Sequence, residues 1–529
     1  MRLRQIAAAA ALAAVLGSAL TGTVAASTLR ISNGGQVGSL DPAKMDGNWE
    51  DRVIGDYLEG LMAQDPADNP VPGQAASYTV SPDGLTYTFK IRDDAKWSDG
   101  VPVTSADFVT AMQRELDPKA GHDYAYMQYP IKNAEAYNSK KISDFSQVGI
   151  KAIDDKTLEY TLAQPTPYFL QLLMHETAYP VPKHVIDKVG DDWIKMENIV
   201  ANGPYKPVEN VPGSYIKSVK NPTYWDAKNV HIDEVVYTVL EDQTAALNRY
   251  RAGDFDIMTD FPTDQYQWIQ SNLAGQVHVK PYLSVYYYVM NQSKPPLNDK
   301  NIREALSLAV NREAITNDIM GTGQVPAYNF IPPGTANYAG EAYAPGWEEQ
   351  SYDDRVAKAK QLMEAAGYSD ANPLKLQLKY NTNDNHKKIA VAIAAMWQQI
   401  HVNAELFNSE TRVHYDSLES GDFQVGRAGW QMDFSDPDNM LQLLETGNGN
   451  NYGRYSSKDF DALIAQERTM LDLNARAAVM HKAEALAMDD FATIPIYFDV
   501  AKDIVSPKVT GFVDNAQDIH RTKYLTLAP

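Results

Sequence analysis

The chain contains no cysteine. This absence excludes disulfide bonds, thiolate metal sites, a cysteine nucleophile and a lipid-modified N-terminal cysteine. At 529 residues the chain is long enough for two or three domains and a large buried core. A protein of that size needs no disulfide to be stable, so the absence of cysteine is compatible with export.

Positive charge and long apolar runs are also scarce. Lysine and arginine together number 47 against 68 aspartates and glutamates, which gives a formal net charge of −21. So acidic a chain is poorly suited to bind nucleic acid or an anionic membrane surface, and we expect no nucleic-acid partner. Beyond the N-terminal segment no stretch approaches the roughly 18 apolar residues of a transmembrane helix.

The motifs of common enzyme families are missing. We find no Gly-x-Ser-x-Gly, no phosphate-binding GxxxxGK and no Rossmann glycine set. His175-Glu176 begins like HExxH, but Tyr179 occupies the place of the second zinc ligand. A secreted hydrolase therefore stays an alternative without a visible nucleophile–base pair. We predict no catalytic residue, no metal ligand and no cofactor.

The first 26 residues have the pattern of a targeting segment. Arg2 and Arg4 form a basic start, residues 6–20 form an apolar run, and Val24-Ala25-Ala26 is a small-residue cleavage site. This order is typical of a secretory signal peptide. We therefore predict cleavage near Ala26 and a periplasmic location.

Apolar periodicity predicts a mixture of strands and helices along the whole chain. The predicted strands are 28–32, 78–92 as a hairpin turning at 81–84, 153–162 as a turn at 154–155 with its strand, 235–240, 277–291, 374–380 and 494–500. The predicted helices are 104–116, 302–310, 356–363, 386–399, 459–470 and 475–488. Thr104 and Asp107 form a capping box at the first of these helices. With no repeat or polar linker, the pattern indicates α/β lobes between which the chain passes more than once.

One stretch, residues 421–437, collects unusual chemistry. It begins like a strand and ends in a turn rich in Asp and Pro. Its notable residues are Arg427, Gly429, Trp430 and Asp433. Backbone exposed at Gly429 could bind an extended foreign chain, with Asp433 pairing an ammonium and Arg427 a carboxylate. The alternative is an internal Arg–Asp pair that caps a turn beside a core tryptophan, which these residues alone favour.

Several stretches together resemble the oligopeptide-binding family, the extracytoplasmic solute-binding proteins of peptide ABC importers. The similar stretches are Ser39-Leu40-Asp41-Pro42, Lys96-Trp97-Ser98-Asp99-Gly100, Lys294-Pro295-Pro296-Leu297-Asn298-Asp299, Tyr380-Asn381-Thr382 with His386-Lys387-Lys388, and Arg427-Ala428-Gly429-Trp430. They occur in the family's order over almost the whole chain beyond the targeting segment. The WSDG stretch is shared by binders of many solutes, whereas the run from Arg427 to Asp433 resembles the oligopeptide branch specifically.

The resemblance implies an α/β, periplasmic binding protein-like fold. Two lobes would grip the ligand, a small extra lobe would pack on one of them, and two strands would form the hinge. The implied boundaries are 27–57, 186–283 and 501–529 for lobe I, 58–185 for the small lobe II, and 284–500 for lobe III.

The resemblance also implies a set of ligand-binding residues. They are Asp46, Gly47, Asn48, Tyr126, Tyr282, Tyr287, His386, Arg427, Gly429, Trp430, Gln431 and Asp433. In such proteins a peptide lies extended between two backbone edges, here 46–48 and 429–431. Asp433 would anchor its ammonium group, while Arg427 and His386 would help to receive its carboxylate. In this context we favour the anchor role for Asp433 over the turn-capping pair.

The chain departs from its relatives at several positions near the implied site. Where some relatives carry a cysteine pair, this chain has Ser284 and Gln431. A lysine that reaches the peptide's C-terminus in the family is Met320 here, a tyrosine is Asp499 and a glutamate is Val289. These differences leave ligand length and side-chain preference open.

The resemblance implies a monomeric periplasmic receptor that captures extended oligopeptides by backbone and termini. It would deliver them to an ABC permease in the inner membrane and carry out no chemistry itself. Within the same fold, the alternatives are receptors for a murein peptide, an opine, a plant-derived conjugate or another non-peptide solute.

Overall fold

The structure is a computed structural model that describes residues 26–45, 47–409 and 411–528. It is a mixed α/β fold with one large sheet, several smaller sheets and more than one lobe. The predicted signal segment, apart from Ala26, lies outside the described residues, as does Asp46. Among the described residues, no helix combines the length and apolar character needed to cross a membrane.

The strands are numbered in chain order. They are β1 (Thr28–Gly34), β2 (Met62–Gln64), β3 (Pro70–Pro72), β4 (Ala75–Val80), β5 (Thr86–Ile91), β6 (Ile150–Asp154), β7 (Thr157–Thr161), β8 (Tyr205–Val211), β9 (Tyr215–Lys220), β10 (Glu234–Val239), β11 (Ile257–Thr259), β12 (Val277–Met290), β13 (Val325–Pro326), β14 (Leu374–Asn381), β15 (Val402–Ser409), β16 (Val425–Gln431), β17 (Thr493–Val505), β18 (Val509–Thr510) and β19 (Thr526–Leu527).

The α-helices are numbered in the same way. They are α1 (Asn48–Tyr57), α2 (Ser105–Glu115), α3 (Ala134–Asn138), α4 (Phe169–Leu172), α5 (Lys183–Val189), α6 (Gln243–Ala252), α7 (Tyr266–Asn272), α8 (Lys300–Leu308), α9 (Arg312–Ala314), α10 (Tyr352–Ala365), α11 (Asp384–Gln398), α12 (Thr411–Ser420), α13 (Asp438–Leu441), α14 (Lys458–Glu467) and α15 (Leu473–Asp489). Short 3-10 turns and one π-helical turn, Ile315–Met320, complete the helical structure.

The large sheet runs in the order β15-β14-β16-β12-β17-β11-β1-β10-β9-β8. Strand β1 pairs in parallel with β10 and with β11, so the carboxyl ends of these three strands lie at one edge of the sheet. The long strands β12 and β17 pair antiparallel from Val277↔Ile504 to Val289↔Thr493. At one end β17 adjoins β11, and further along β12 adjoins β16, so these two strands connect both halves of the sheet.

A separate four-stranded sheet has the order β4-β5-β7-β6. Its first two strands form the hairpin that the turn at 81–84 predicts. Helix α2 follows, and its start matches the predicted capping box, because the backbone N–H of Thr104 donates to Oδ2 of Asp107 over 2.8 Å. Local hydrogen-bonding patterns therefore predicted this part of the fold correctly.

Strand β12 separates two hydrophobic cores. Tyr286 and Tyr288 belong to the core on one face of the sheet, whereas Val285 and Tyr287 belong to the core on the other. Successive side chains of a strand point to opposite faces, which explains this division. A further large core contains β1, α1 and the four-stranded sheet, and Leu525 near the end of the chain joins it.

Candidate functional site

A cavity of about 680 Å³ lies where the two halves of the fold meet. Gly47 and Asn48 line it on one side, Gly429 and Asp433 line it on the other, and Tyr126 borders it from the region of the four-stranded sheet. These residues come from three distant parts of the sequence. Trp430 and Gln431 line the cavity as well, so the structure brings together seven of the predicted site residues around one space.

Strand β16 offers an unpaired edge to this cavity. Strand β14 pairs with β16 only at Val425 and Gly426, whereas β12 pairs along its whole length. The backbone N–H of Met432 donates to Leu283, so the alternate residues Trp430 and Ala428 also bond towards β12. The N–H and C=O groups of Gly429 and Gln431 consequently point away from β12, at the edge that an added strand would use.

Asp433 follows this open edge and has only neutral hydrogen-bond donors. Its Oδ2 accepts from the hydroxyl of Tyr126 over 2.7 Å and from Nδ2 of Asn439 over 3.1 Å. Within the described residues no lysine, arginine or histidine forms an ion pair with it. Burial raises the pKa of Asp433 above its ordinary value, and the two hydrogen bonds oppose that rise. The carboxylate is thus placed to accept a cation from a ligand.

Arg427 and Asp433 do not pair with each other, so the alternative of an internal Arg–Asp turn cap is wrong. Nη1 of Arg427 lies 3.1 Å from the hydroxyl of Tyr415 and 3.4 Å from Oδ1 of Asn381. Its guanidinium carbon lies 4.7 Å from the ring centroid of Tyr286. This cation therefore stacks on an aromatic ring and has no carboxylate partner among the described residues.

The guanidinium of Arg427 also explains the glycine two residues later. A Cβ at Gly429 would lie only 2.8 Å from Nη2 of Arg427. The side chain of Arg427 therefore lies over the backbone of Gly429, behind the open edge. Arg427 itself does not line the 680 Å³ cavity.

His386 lies in the first turn of α11, in agreement with the predicted helix 386–399, and beside Arg427. Its ring is 5.4 Å from that of Tyr286, and its Nδ1 is buried with no hydrogen-bond partner in the described structure. Burial, then the charge of Arg427, then His414 lower the pKa of His386 to about 3. His386 is therefore neutral at physiological pH and can offer a hydrogen bond but no charge.

The opposite edge differs from the predicted one. Asp46 lies outside the described residues, and the backbone of Gly47 caps α1: its N–H donates to Oε2 of Glu50, and its C=O accepts from Glu50 and Asp51. Gly47 therefore has no free backbone pair for a ligand. Asn48 contributes its side chain instead.

The amide of Asn48 spans the space between the halves of the fold. Its Nδ2 donates to the hydroxyl of Tyr282 over 3.3 Å, and its Oδ1 lies 3.5 Å from Nε2 of Gln431. Tyr282 is therefore near the cavity, as predicted. Trp430 lines the cavity with its half-buried ring, and its Nε1 donates to Asn439 over 2.8 Å.

Tyr287 does not reach the cavity. Its side chain is 2% exposed, and its ring packs edge-on against Phe330 with the centroids 5.1 Å apart. The odd-numbered residues of β12 face the core that contains Phe330, which is the physical reason. This placement corrects the expectation that Tyr287 contacts a ligand.

The positions at which the resemblance implies a departure from the family have varied surroundings. Met320 is half-buried and packs on the core that contains Tyr286. Oδ1 of Asp499 accepts from Nε2 of Gln324 over 3.2 Å, while Val289 lies in the opposite core. Ser284 pairs with Gln431 across the β12–β16 ladder.

The floor of the cavity contains a buried charge network that sequence reasoning missed. Asp51 and Glu176 line the cavity, and Nη2 of Arg521 lies 2.9 Å from Oδ1 of Asp51 and 2.5 Å from Oε1 of Glu176. Burial, then the charge of Asp51, raise the pKa of Glu176. Burial has the opposite effect on the base His175 and lowers its pKa to about 4. Glu176 is therefore part of a structural network with Arg521 and Asp51.

A second unpredicted contact joins the halves of the fold. The ring of Tyr168 stacks on Phe434 with centroids 4.4 Å apart, and its hydroxyl donates to Oδ2 of Asp438 over 2.9 Å. Phe434 comes directly after Asp433. The contact therefore closes the cavity beside the carboxylate, and only the aromatic character of Tyr168 could have suggested it.

Comparison with protein families gives one match that spans most of the chain. The model of the bacterial extracellular solute-binding proteins, family 5, matches residues 69–452. The matched region includes β16 and Asp433.

Two characterised relatives have similar lengths and sequences. The periplasmic oligopeptide-binding protein OppA of Escherichia coli is 39% identical over 490 residues, which cover 92% of this chain and 89% of that protein. The periplasmic murein peptide-binding protein MppA of Escherichia coli is 37% identical over 493 residues, which cover 92% and 91%.

Solved structures agree with the fold. The complex of Haemophilus influenzae OppA with RPPGFSPFR has a TM-score of 0.82 at 34% identity, covering 96% of this chain and 99% of that one. The Escherichia coli murein tripeptide-binding protein MppA has a TM-score of 0.84 at 35% identity, with coverage of 96% and 99%. The predicted fold class, α/β and periplasmic binding protein-like with gripping lobes, is confirmed.

Proposed function

The chain belongs to the bacterial extracellular solute-binding proteins of family 5, in the group of oligopeptide-binding proteins, and we propose that it is a periplasmic oligopeptide receptor. It captures extended peptides through their backbone and termini and delivers them to an ABC import permease. The similarity to periplasmic oligopeptide-binding proteins supports the ligand class and location, and the similarity to structures of oligopeptide ABC transporter proteins supports delivery to a permease.

The observation that carries this proposal is the open edge of β16 with a carboxylate at its end. Gly429 and Gln431 can pair with a peptide backbone, because β14 leaves this part of β16 after Gly426. Asp433, which has no cationic partner in the described residues, binds the peptide's ammonium group. Backbone and terminus are common to all peptides, so such a site accepts varied sequences.

The roles of the remaining site residues belong to the same proposal. Arg427 and His386 act near the carboxylate end, Arg427 as a cation and His386 as a neutral hydrogen-bonding group. Asn48 and Tyr126 meet the ligand from the side opposite β16. The proposed lobe boundaries are those that the resemblance implies: 27–57 with 186–283 and 501–529 for lobe I, 58–185 for lobe II, and 284–500 for lobe III. We also propose a monomer and a signal peptide cleaved near Ala26.

The receptor has no catalytic role in this proposal. Glu176 supports this, because its carboxylate is held by Arg521 in a buried network. The most specific alternative is a murein peptide receptor, which the likeness to the murein tripeptide-binding protein favours. An opine, a plant-derived conjugate or another non-peptide solute is a weaker alternative.

Mass spectrometry of small molecules released by denaturing freshly purified protein tests the proposal. Co-purified peptides of mixed sequence support it, whereas a single murein peptide supports the alternative and one defined non-peptide solute contradicts both.

Calorimetry with peptides of one length and varied side chains is the second test. A preference for one side chain above about a thousandfold, near 4 kcal/mol, would contradict recognition by backbone and termini.

A further inference from the structure

A second cavity of about 550 Å³ adjoins the first. It lies at the carboxyl ends of β1, β10 and β11, the position where open α/β sheets commonly bind ligands. Asn48 and Trp49 line both cavities. The two cavities are therefore neighbouring parts of one groove, with the start of α1 between them.

The indole of Trp49 forms the wall between them. A Cβ at Gly35 would lie 2.7 Å from this ring, and one at Gly47 would lie 2.8 Å from it. The two glycines thus allow the ring to lie flat against the backbone on both sides of α1's first turn. Trp49 is nevertheless 38% exposed, so it presents apolar area to anything that passes from one cavity to the other.

Arg52 is the only lysine or arginine among the described residues that line either cavity. It is half-buried, one helical turn after Asn48 in α1. Its Nη1 donates to the backbone oxygen of Asn33 over 3.3 Å. In the described part of the chain no carboxylate oxygen lies within 4.0 Å of the guanidinium nitrogens, so Arg52 has no ion-pair partner there.

Three acidic groups near Arg52 have other partners, whereas Glu241 lines the second cavity as an exposed side chain. Asp260 lies 2.9 Å from Nζ of Lys502, and Asp518 lies 3.1 Å from Nε2 of His520. Asp503 faces Asp518, and the two carboxyls affect each other's pKa more strongly than Arg52 does. Arg52 therefore has donors that no described carboxylate satisfies directly.

We propose that the second cavity receives the carboxyl-terminal part of longer peptides, and that Arg52 binds their terminal carboxylate. This inference rests on the proposed function, since it starts from an ammonium group fixed at Asp433. Each further residue of an extended peptide moves its carboxylate about 3.3 Å along the groove. Beyond a certain length the carboxylate passes Trp49 and requires a cation in the second cavity, where Arg52 is placed.

Arg427 and His386, which we propose to act near the carboxylate of shorter peptides, do not replace Arg52 for these longer ones. Arg427 lies behind Gly429 and stacks on Tyr286, outside both cavities. His386 is neutral because its pKa is lowered to about 3. Met320, which stands where relatives have a lysine, carries no charge.

Calorimetry with alanine peptides of two to six residues tests the inference in the full-length protein. Each length is measured as the free acid and as the C-terminal amide, with the native protein, Arg52→Gln and Arg52→Lys. We expect Arg52→Gln to weaken the longer free acids about 10- to 100-fold, the range of a charge-assisted hydrogen bond. The shortest peptides and all amides should be unaffected by this substitution, and Arg52→Lys should restore part of the loss.

Arg251→Gln is the matched control, because Arg251 is exposed, lies over the ring of Trp268 and lines neither cavity. It should leave every affinity unchanged. An equal loss at all lengths, an equal loss for amides, or no loss in Arg52→Gln would overturn the inference alone. Failure of the native protein to bind any peptide would overturn the proposed function, and this inference with it.

Discussion

Tyr126 donates a hydrogen bond of 2.7 Å to the carboxylate of Asp433, although 307 positions separate the two residues in the chain. Asn439 supplies the other donor, over 3.1 Å. Both donors are neutral, so they orient the carboxylate and leave its charge unbalanced. Burial of this charge without a described ionic partner destabilises the unliganded protein, and a ligand ammonium would remove that cost.

Asp433→Asn should weaken binding of a free alanine peptide by about 2–5 kcal/mol, because an ammonium then loses its charged partner. Acetylating the peptide should have a similar effect on the native protein. The two changes together should cost little more than either alone, since both remove one interaction. Calorimetry of this double-mutant cycle measures the coupling, and fully additive losses would show that Asp433 does not contact the ammonium.

The affinity for free peptides should fall as the pH falls through the raised pKa of Asp433. Burial favours the protonated carboxyl in the unliganded protein, and a protonated group cannot pair with an ammonium. Below that pKa each pH unit should weaken binding about tenfold, and above it the affinity should be constant until the peptide's α-ammonium loses its proton at about pH 8. Acetylated peptides should show no such dependence.

The raised pKa of Asp433 affects the stability of the fold in the opposite direction from the affinity for peptides. The folded protein binds this proton more tightly than the unfolded chain does, so the stabilising effect is present at low pH and is lost as the pH rises through the raised pKa. Asp433→Asn should therefore increase the melting temperature of the unliganded protein at neutral pH. A lower melting temperature for this variant would show that the carboxylate stabilises the fold.

Tyr168 should control how readily the halves of the fold close. Tyr168→Ala removes both the stacking on Phe434 and the hydrogen bond to Asp438. All peptides should then bind more weakly by a similar factor, because the closed form is less populated before binding. Small-angle scattering of the unliganded variant should give a larger radius of gyration than that of the native protein.

Tyr168→Phe keeps the stacking and removes only the hydroxyl, so its effect should be about 1 kcal/mol. Tyr78→Phe, at a more exposed tyrosine of β4, is the control and should change nothing. A loss that depends strongly on peptide length or sequence would indicate that Tyr168 contacts the ligand itself.

Met320→Lys should widen the range of peptide lengths that bind well. Met320 cannot pair with a carboxylate, so a peptide whose terminus ends near it lacks a charge-assisted hydrogen bond of roughly 1.5–3 kcal/mol. The added lysine should strengthen that length and leave the preferred one unchanged. Affinities of alanine peptides of two to six residues in both proteins are the measurement. Identical length profiles would place residue 320 beyond the reach of the carboxylate.

The sequence was most informative where structure depends on near neighbours. The Thr104–Asp107 cap and the hairpin around residues 81–84 formed as predicted, since their hydrogen bonds join residues a few positions apart. Asp433 was found through a resemblance covering the residues around it. The open edge of β16 could not be derived in this way, because it depends on where β14 stops pairing.

Long-range contacts set the limit of the sequence interpretation. The ion pair of Arg521 with Asp51 joins residues 470 positions apart and has no local signal. The prediction for Tyr287 was wrong because both faces of β12 are buried. Alternation then divides the tyrosines of this strand between two faces, but it does not indicate which face is nearer the cavity. The capping role of Gly47 was missed because its partner Glu50 had no assigned function.

The position of Arg521 has a consequence for the order in which the molecule can be assembled. Its guanidinium fills the space left by Gly55, where a Cβ would be 1.8 Å from Nη1, and it neutralises Asp51 beneath the cavity. A chain emerging from the ribosome therefore makes Asp51 and Glu176 long before it makes their counter-ion. Until Arg521 is made, two like charges oppose burial in the core that contains α1, which should keep this part of the nascent chain loosely folded.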